Sequence, residues 1–412
     1  MDDQNQTSDN ALMATNGLLY KMPQPLSVCL NKTFKKEYAQ RQNYRANDTI
    51  VFDINSGASY IDPTTCMLSF KLRVSGTNAD ATDFYTFGTG MASNLIKEIR
   101  VLSKNGCEVD RTQNAHVLAK ILKDYTYTSD DQKILSNAGL DGAYDFESSA
   151  TFVIPLDLIS GFFRPTVKGM KIPAGLASGL RIEFITEDAK RALTHPAGQA
   201  TDVSYAIEDP EILFMCMDLN DPTQAVLMKN SAETGLEYTF PSYFSTPATS
   251  AADRINEQVK KAVSQCTRAF CGVYDTVAVN VIKNDGFASV SMENHTMKEF
   301  QYRVGSSYYP NKMVSNTAEA WYITCAAFDS KNKLGKCSSM LFDEYETKGK
   351  FVMAVPIETD SRLNLSGLPL NNSNVLELRS SFDAKGVSLE YNIFIEHITI
   401  ARTFVNQTSI KI

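Results

Sequence analysis

Four histidines, eight cysteines and a few adjacent acids are the side chains of this 412-residue chain best suited to bond-making chemistry. A metal centre needs three or four His, Cys or carboxylate ligands converging on one point, and sequence usually announces this by close spacing. Neither Cys-x-x-Cys nor His-Glu-x-x-His occurs. His116, His195, His295 and His397 stand far apart, and His397 lies inside Ile393-Phe-Ile-Glu-His-Ile-Thr-Ile400, where it reads as a core histidine of a strand. The eight cysteines (Cys29, Cys66, Cys107, Cys216, Cys266, Cys271, Cys325 and Cys337) read as small buried apolar residues. No Walker loop, dinucleotide-binding glycine pattern or Gly-x-Ser-x-Gly elbow is present. Glu187-Asp188 and Asp343-Glu344 read as solvated acids, and Lys260-Lys261 with Arg268 as a solvated basic face. No enzyme is expected, and with it no catalytic residue, metal, cofactor or small-molecule substrate.

One further cluster invites a binding role. Lys32, Lys35, Lys36, Arg41 and Arg45 fall within fourteen residues with one acid, Glu37, and aromatics between them. Residues 1–46 read as an N-terminal arm. Such an arm is either a solvated terminus or a basic segment that touches a neighbouring subunit, an anionic membrane or a packaged genome. The net charge of −7 argues against a dedicated nucleic-acid reader. The opening Met1-Asp-Asp-Gln-Asn-Gln-Thr-Ser is polar and acidic, unlike a signal or transit peptide, so synthesis in cytoplasm or nucleus without secretion is expected. No run reaches the ~18 apolar residues of a membrane span.

The elements that would position these residues are β-rich and repeat. Leu95–Val101 is matched by Met297–Val304, a helix opening at Asn114 by one at Asn316, Phe152–Pro155 by Phe351–Pro356, and Gly179–Phe184 by Asn374–Arg379. Four matches in order, offset by about 200 residues, read as a tandem duplication. Cys66–Val74 alternates strictly, with Leu68, Phe70, Leu72 and Val74 on one face. Lys104-Asn105-Gly106 and Asn284-Asp285-Gly286 predict hairpins, because both turn positions need positive φ. Asp383–Gly386 predicts a third, between Val375–Phe382 and Val387–Ile400. Helices are few: Ala115–Lys123, capped by Thr112 or Asn114; Thr317–Phe328, holding the single tryptophan; and Asp253–Val263, from Ile255, Val259 and Val263 at helical spacing. The long loops Ser160–Ser178 and Asp360–Ser373 occupy equivalent places, and loops of this length tend to be functional or interfacial.

The expected fold is all-β: two tandem jelly-roll β-sandwiches with a few short helices in loops. The expected bounds are an arm over 1–46, a first roll over 47–220, a linker over 221–236, a second roll over 237–405 and a tail over 406–412. With the repeat in place, the chain resembles the double-jelly-roll major capsid proteins of polinton-like viruses, virophages, adintoviruses, nucleocytoplasmic large DNA viruses and tailless icosahedral phages. Locally, Tyr60-Ile-Asp-Pro63, Val203–Phe214 and Leu389–Ile395 resemble strands of that family. The resemblance implies a virion protein that forms homotrimers. Their six rolls make a pseudo-hexagonal capsomer, which tiles an icosahedral shell beside neighbouring capsomers and minor capsid and penton proteins. The basic arm would lock neighbouring subunits or face inward to the genome or an inner membrane. Competing readings are another viral structural protein (a spike, a penton or a single roll with a projection), a tandem carbohydrate-binding or adhesion module, and a tandem cupin enzyme.

Overall fold

A computed structural model describes residues 29–77, 83–88, 90–140, 142–195, 201–275, 297–328, 341–347, 350–357, 367–382, 388–404 and 408–411. Sixteen of its strands form two sandwiches with the same plan. In the first roll these are β1 (Cys29–Tyr38), β2 (Thr49–Asn55), β3 (Tyr60–Thr77), β4 (Ile96–Leu102), β5 (Glu108–Gln113), β6 (Ser149–Pro155), β7 (Ser178–Thr186) and β8 (Thr201–Leu219). In the second they are β9 (Leu236–Ser250), β10 (Arg254–Val259), β11 (Val263–Asp275), β12 (Met297–Val304), β13 (Ser307–Val314), β14 (Val352–Pro356), β15 (Leu376–Phe382) and β16 (Leu389–Thr403). Roll one pairs them as β1-β8-β3-β6 and β2-β7-β4-β5; roll two as β9-β16-β11-β14 and β10-β15-β12-β13. The order of first, eighth, third and sixth against second, seventh, fourth and fifth is identical in the two halves. It is the jelly-roll order, and every pairing is antiparallel.

The sequence pattern explains the core. On β3, Leu68, Phe70, Leu72 and Val74 are buried while Lys71 and Arg73 face water, so one face can pack and the other is solvated. Gly106 takes the left-handed φ of +75° that closes the β4–β5 hairpin. Helix α1 (Ala115–Thr126) follows β5, and α3 (Thr317–Phe328) follows β13, at matching places in the two rolls. Helix α2 (Asp221–Glu233) joins the rolls; Asn220 accepts a hydrogen bond from Thr223 N at 3.0 Å, and none of its residues is buried. All four sequence matches therefore fall on topologically equivalent elements.

Four expectations are corrected. The arm expected over residues 1–46 contains β1 and a short strand, Asn43–Arg45, both paired with β8. The first roll thus includes Cys29–Tyr38, and a deletion of 1–46 would strip a sheet edge. Asp253–Val263 is not helical: Ile255 and Val259 are four apart, a spacing that also puts them on one face of a strand, and pairing of β10 with β15 decides the matter. The hairpin expected around Asp383–Gly386 is corrected at its flanks: β15 and β16 belong to different sheets and do not pair, while residues 383–387 themselves lie outside the described residues. The expected tail holds Thr408–Lys411, a strand paired with β16. Residues 1–28, the Asn284–Gly286 hairpin, His295 and Cys337 lie outside the described residues.

Candidate assembly interface

The two rolls are joined by a buried polar seam. Strand β5 at the edge of roll one meets β9 at the edge of roll two. Asp110, 3% exposed, accepts hydrogen bonds from Ser160 Oγ at 2.6 Å and Phe162 N at 3.3 Å within its own roll. Its second oxygen accepts from Ser242 Oγ of roll two, also at 2.6 Å. Ser245 Oγ donates to the Gln113 carbonyl at 3.2 Å, and Tyr238 OH to the Phe162 carbonyl at 2.6 Å. Thr166 N donates to the Thr239 carbonyl at 3.0 Å. Further along, Arg191 pairs with Glu390 at 2.8 Å, and Tyr125 of α1 stacks on Phe328 of α3 with centroids 4.8 Å apart. Direct bonds between buried polar groups are geometrically demanding, so the seam fixes one relative placement of the rolls.

Asn114 shows what the seam costs locally. It occupies the position before α1 at φ +51° but makes no capping bond; its amide instead reaches Ser245 Oγ at 3.3 Å and Asn392 Oδ1 at 3.0 Å in roll two. Its counterpart Asn316 is exposed and accepts from Glu319 N at 2.7 Å, as a helix cap should.

Among the described residues, the seam covers the outer face of roll two's eighth strand and leaves that of roll one's only partly covered. Strand β16 is buried on both faces over most of its length. Its counterpart β8 is buried only at alternate positions: Ile212, Phe214 and Cys216 face the core, while Leu213, Met215 and Met217 on the outer face are only partly covered. Strand β1 beside it exposes Phe34 (55%) and Tyr38 (69%), which pair with Met215 and Glu211 and so share that outer face. At an edge of roll two, β13 exposes Tyr308 (40%) and Met313 (38%).

No family model and no curated protein sequence matches the chain. Solved structures do. The Faustovirus major capsid protein superposes with a TM-score of 0.69 at 8% identity, over 94% of this chain and 92% of that one. The chain has the double-jelly-roll fold of viral major capsid proteins. It is similar in the same way to the PBCV-1 virus capsid (TM-score 0.62, 10% identity, 95% of this chain and 98% of that one). The mavirus major capsid protein also superposes (0.53, 10%, 96% and 93%).

In this double jelly roll the five basic residues do not form one patch. Lys32 and Lys36 lie on the outer face with Phe34 and Tyr38, and Lys36 pairs with Glu211 at 3.0 Å. Lys35 is on the opposite face of β1, opposite Phe214. Arg41 and Arg45 lie beyond the end of β1, around a cleft shared with Asp48, Arg73 and Glu208, and Arg41 stacks over Tyr44. The second basic cluster also divides: Lys261 lies over the Phe244 ring at 5.3 Å, whereas Arg268 is buried against Glu396. Glu187 is buried near His116, and Asp188 caps a short helical turn. Sequence reading missed Asp110, Ser160 and Ser242, whose types carry no signal until the fold joins them, and it read Asn114 as a helix cap rather than a seam residue; the interfacial expectation for Ser160–Ser178 was the available clue.

A cavity of about 150 Å³ opens along the seam, lined among others by Glu108, Asp110, Arg111, Lys261 and His397. Burial first, then the Lys261 charge, hold His397 down at about 4, against a smaller opposing pull from Glu396. In the unfolded chain it titrates near 6.5. Below that pH the unfolded state takes up a proton that the folded state refuses. The histidine's penalty is absent above about pH 6.5, grows as the pH falls and levels off near pH 4. His397→Gln is expected to remove about 3 kcal/mol of the stability lost between about pH 7 and pH 4. Urea midpoints of both proteins across this range measure it; parallel curves would refute it.

Proposed function

We propose that this chain is a major capsid protein that trimerises into pseudo-hexameric capsomers and tiles an icosahedral virion shell. The observation that carries the reading is the seam: two copies of one roll are held side by side in a fixed placement, so three chains present six similar walls. A shell element at a six-fold position needs this, and its role is structural rather than catalytic. Heterologous contacts between three such chains close into a ring, and permanent interfaces of this kind bury on the order of 2,000 Å² or more. Neighbouring capsomers, and minor capsid and penton proteins, are the partners this role requires. The basic strand β1 belongs to an inter-subunit wall in this reading, which leaves residues 1–28 as the segment for contact with genome or an inner membrane.

Light scattering on the purified full-length protein is expected to give three times the 45.6 kDa chain mass, and negative-stain images a six-lobed outline. A monomer with no such outline would overturn the reading and make glycan binding by a tandem β-sandwich module the next thing to test.

A further inference from the structure

Resting on that capsomer reading, we propose that a second copy of this chain lays its β13 edge, through Tyr308 and Met313, against the outer face of β1 and β8 at Phe34, Tyr38 and Met215. The argument is one of equivalence. Inside the chain the first strand of roll two, β9, meets the fifth strand of roll one, β5, through Asp110–Ser242 and Ser245–Gln113. That junction places Asn114 against Asn392 and Arg191 against Glu390 on β16, a strand buried on both faces over most of its length. The first strand of roll one and the fifth strand of roll two are the same two edges in the opposite order, and among the described residues nothing covers Phe34 and Tyr38 on the one or Tyr308 and Met313 on the other. One chain has one of each. Both edges are filled when every copy gives its β13 to one neighbour and its β1 to another, a head-to-tail contact that closes into a ring.

The side chains on the bare face suit a protein partner. Aromatic and methionine side chains (Phe34, Tyr38, Met215 and half-buried Met67) form an apolar centre, with Lys32 and Lys36 beside them. An apolar centre with charged neighbours is the anatomy of a protein–protein contact. The opposing edge presents Tyr308 and Met313 with Lys312 between them. Asn316, exposed at the start of α3, takes the place in the new contact that Asn114 takes in the seam.

The test uses full-length protein grown separately in ¹⁴N and ¹⁵N media, mixed, reassembled and treated with a lysine-specific crosslinker. Mixed-isotope links from Lys312 to Lys32 or Lys36 are expected in the oligomer. In parallel, Phe34→Glu/Tyr38→Glu and Tyr308→Glu/Met313→Glu should each give monomers by light scattering. Their equimolar mixture should give dimers, because one intact contact survives. Oligomers persisting in either variant, or mixed-isotope links that leave Lys312 out, would overturn this contact while leaving the trimeric capsid reading in place. A monomeric unmodified protein would overturn both. If the glutamate variants misfold, the crosslinks on the unmodified chain decide alone.

Discussion

Gly161→Ala is expected to prevent the two rolls from docking, at a cost of at least ~4 kcal/mol or outright loss of soluble protein. A Cβ at this position would stand 1.6 Å from the Pro241 carbonyl oxygen and 2.7 Å from its carbon, where ordinary contact begins near 3.4 Å. The obstructing atoms are backbone of β9, so no rotamer change relieves the clash. Either the loop after β6 or the whole of roll two must shift by well over an ångström. Hydrogen bonds fail over such a distance, and those at stake surround Gly161 directly: Ser160 to Asp110, Ser242 to Asp110, and Tyr238 to the Phe162 carbonyl. Each leaves a buried polar group unmatched at about 1–3 kcal/mol. Gly169→Ala is the control. Gly169, unlike Gly161, has positive φ (+87°), and nothing lies within 4 Å of its added Cβ, so strain alone should cost it only about 1–2 kcal/mol. Urea melts of the two variants with light scattering on the same samples measure the difference. Equal midpoints would mean that the seam does not confine the position.

The same seam explains what was legible in the sequence. Local periodicity reported the core faithfully, as in the alternation of β3, because a strand with one buried face must repeat every two residues. The duplication was legible for a related reason: equivalent strands must bury equivalent faces, which preserved Leu95–Val101 beside Met297–Val304 and the two asparagines before the helices. Edge strands were not legible. Strand β1 carries three lysines, pairs on one side only among the described residues and is largely exposed, so composition alone reads it as a solvated arm. Lysines on such an edge discourage unwanted strand pairing, which makes a true strand resemble a disordered segment. Helical spacing misled at Ile255 and Val259 because a separation of four satisfies both periods. The seam itself was invisible: Asp110 is 50 residues from Ser160 and 132 from Ser242, and an isolated serine or aspartate predicts no partner at that range.

Arg268→Ala is expected to destabilise the second roll by about 3–5 kcal/mol at neutral pH, the cost of leaving a buried charge unpaired. Arg268 on β11 and Glu396 on β16 meet at 2.7 Å with side chains 14% and 7% exposed. The guanidinium also donates to the Ala327 carbonyl at 3.1 Å and covers the Phe328 ring, tying the end of α3 to the sheet. Burial alone would raise the Glu396 carboxyl; the Arg268 charge and its hydrogen bonds, with those from Tyr243 and Thr267, outweigh burial and hold it below the usual glutamate value. In the native chain this carboxylate therefore adds stability above the unfolded glutamate pKa near 4.3, and that stability is lost as the pH falls through the lower folded value. Removing Arg268 deletes the chief opposing cause, so burial prevails and the folded pKa rises above the unfolded one. The sign of the pH dependence then reverses: the variant regains stability on acidification as Glu396 takes up a proton. The deficit of Arg268→Ala should accordingly shrink between about pH 7 and pH 5. Arg268→Met/Glu396→Leu, which removes both charges and keeps most of the volume, should recover most of the loss. Urea melts of the three proteins at both pH values measure these differences. A deficit that stays constant with pH, or a double variant no better than Arg268→Ala, would show that packing against Phe328 rather than charge pairing holds this corner of the roll.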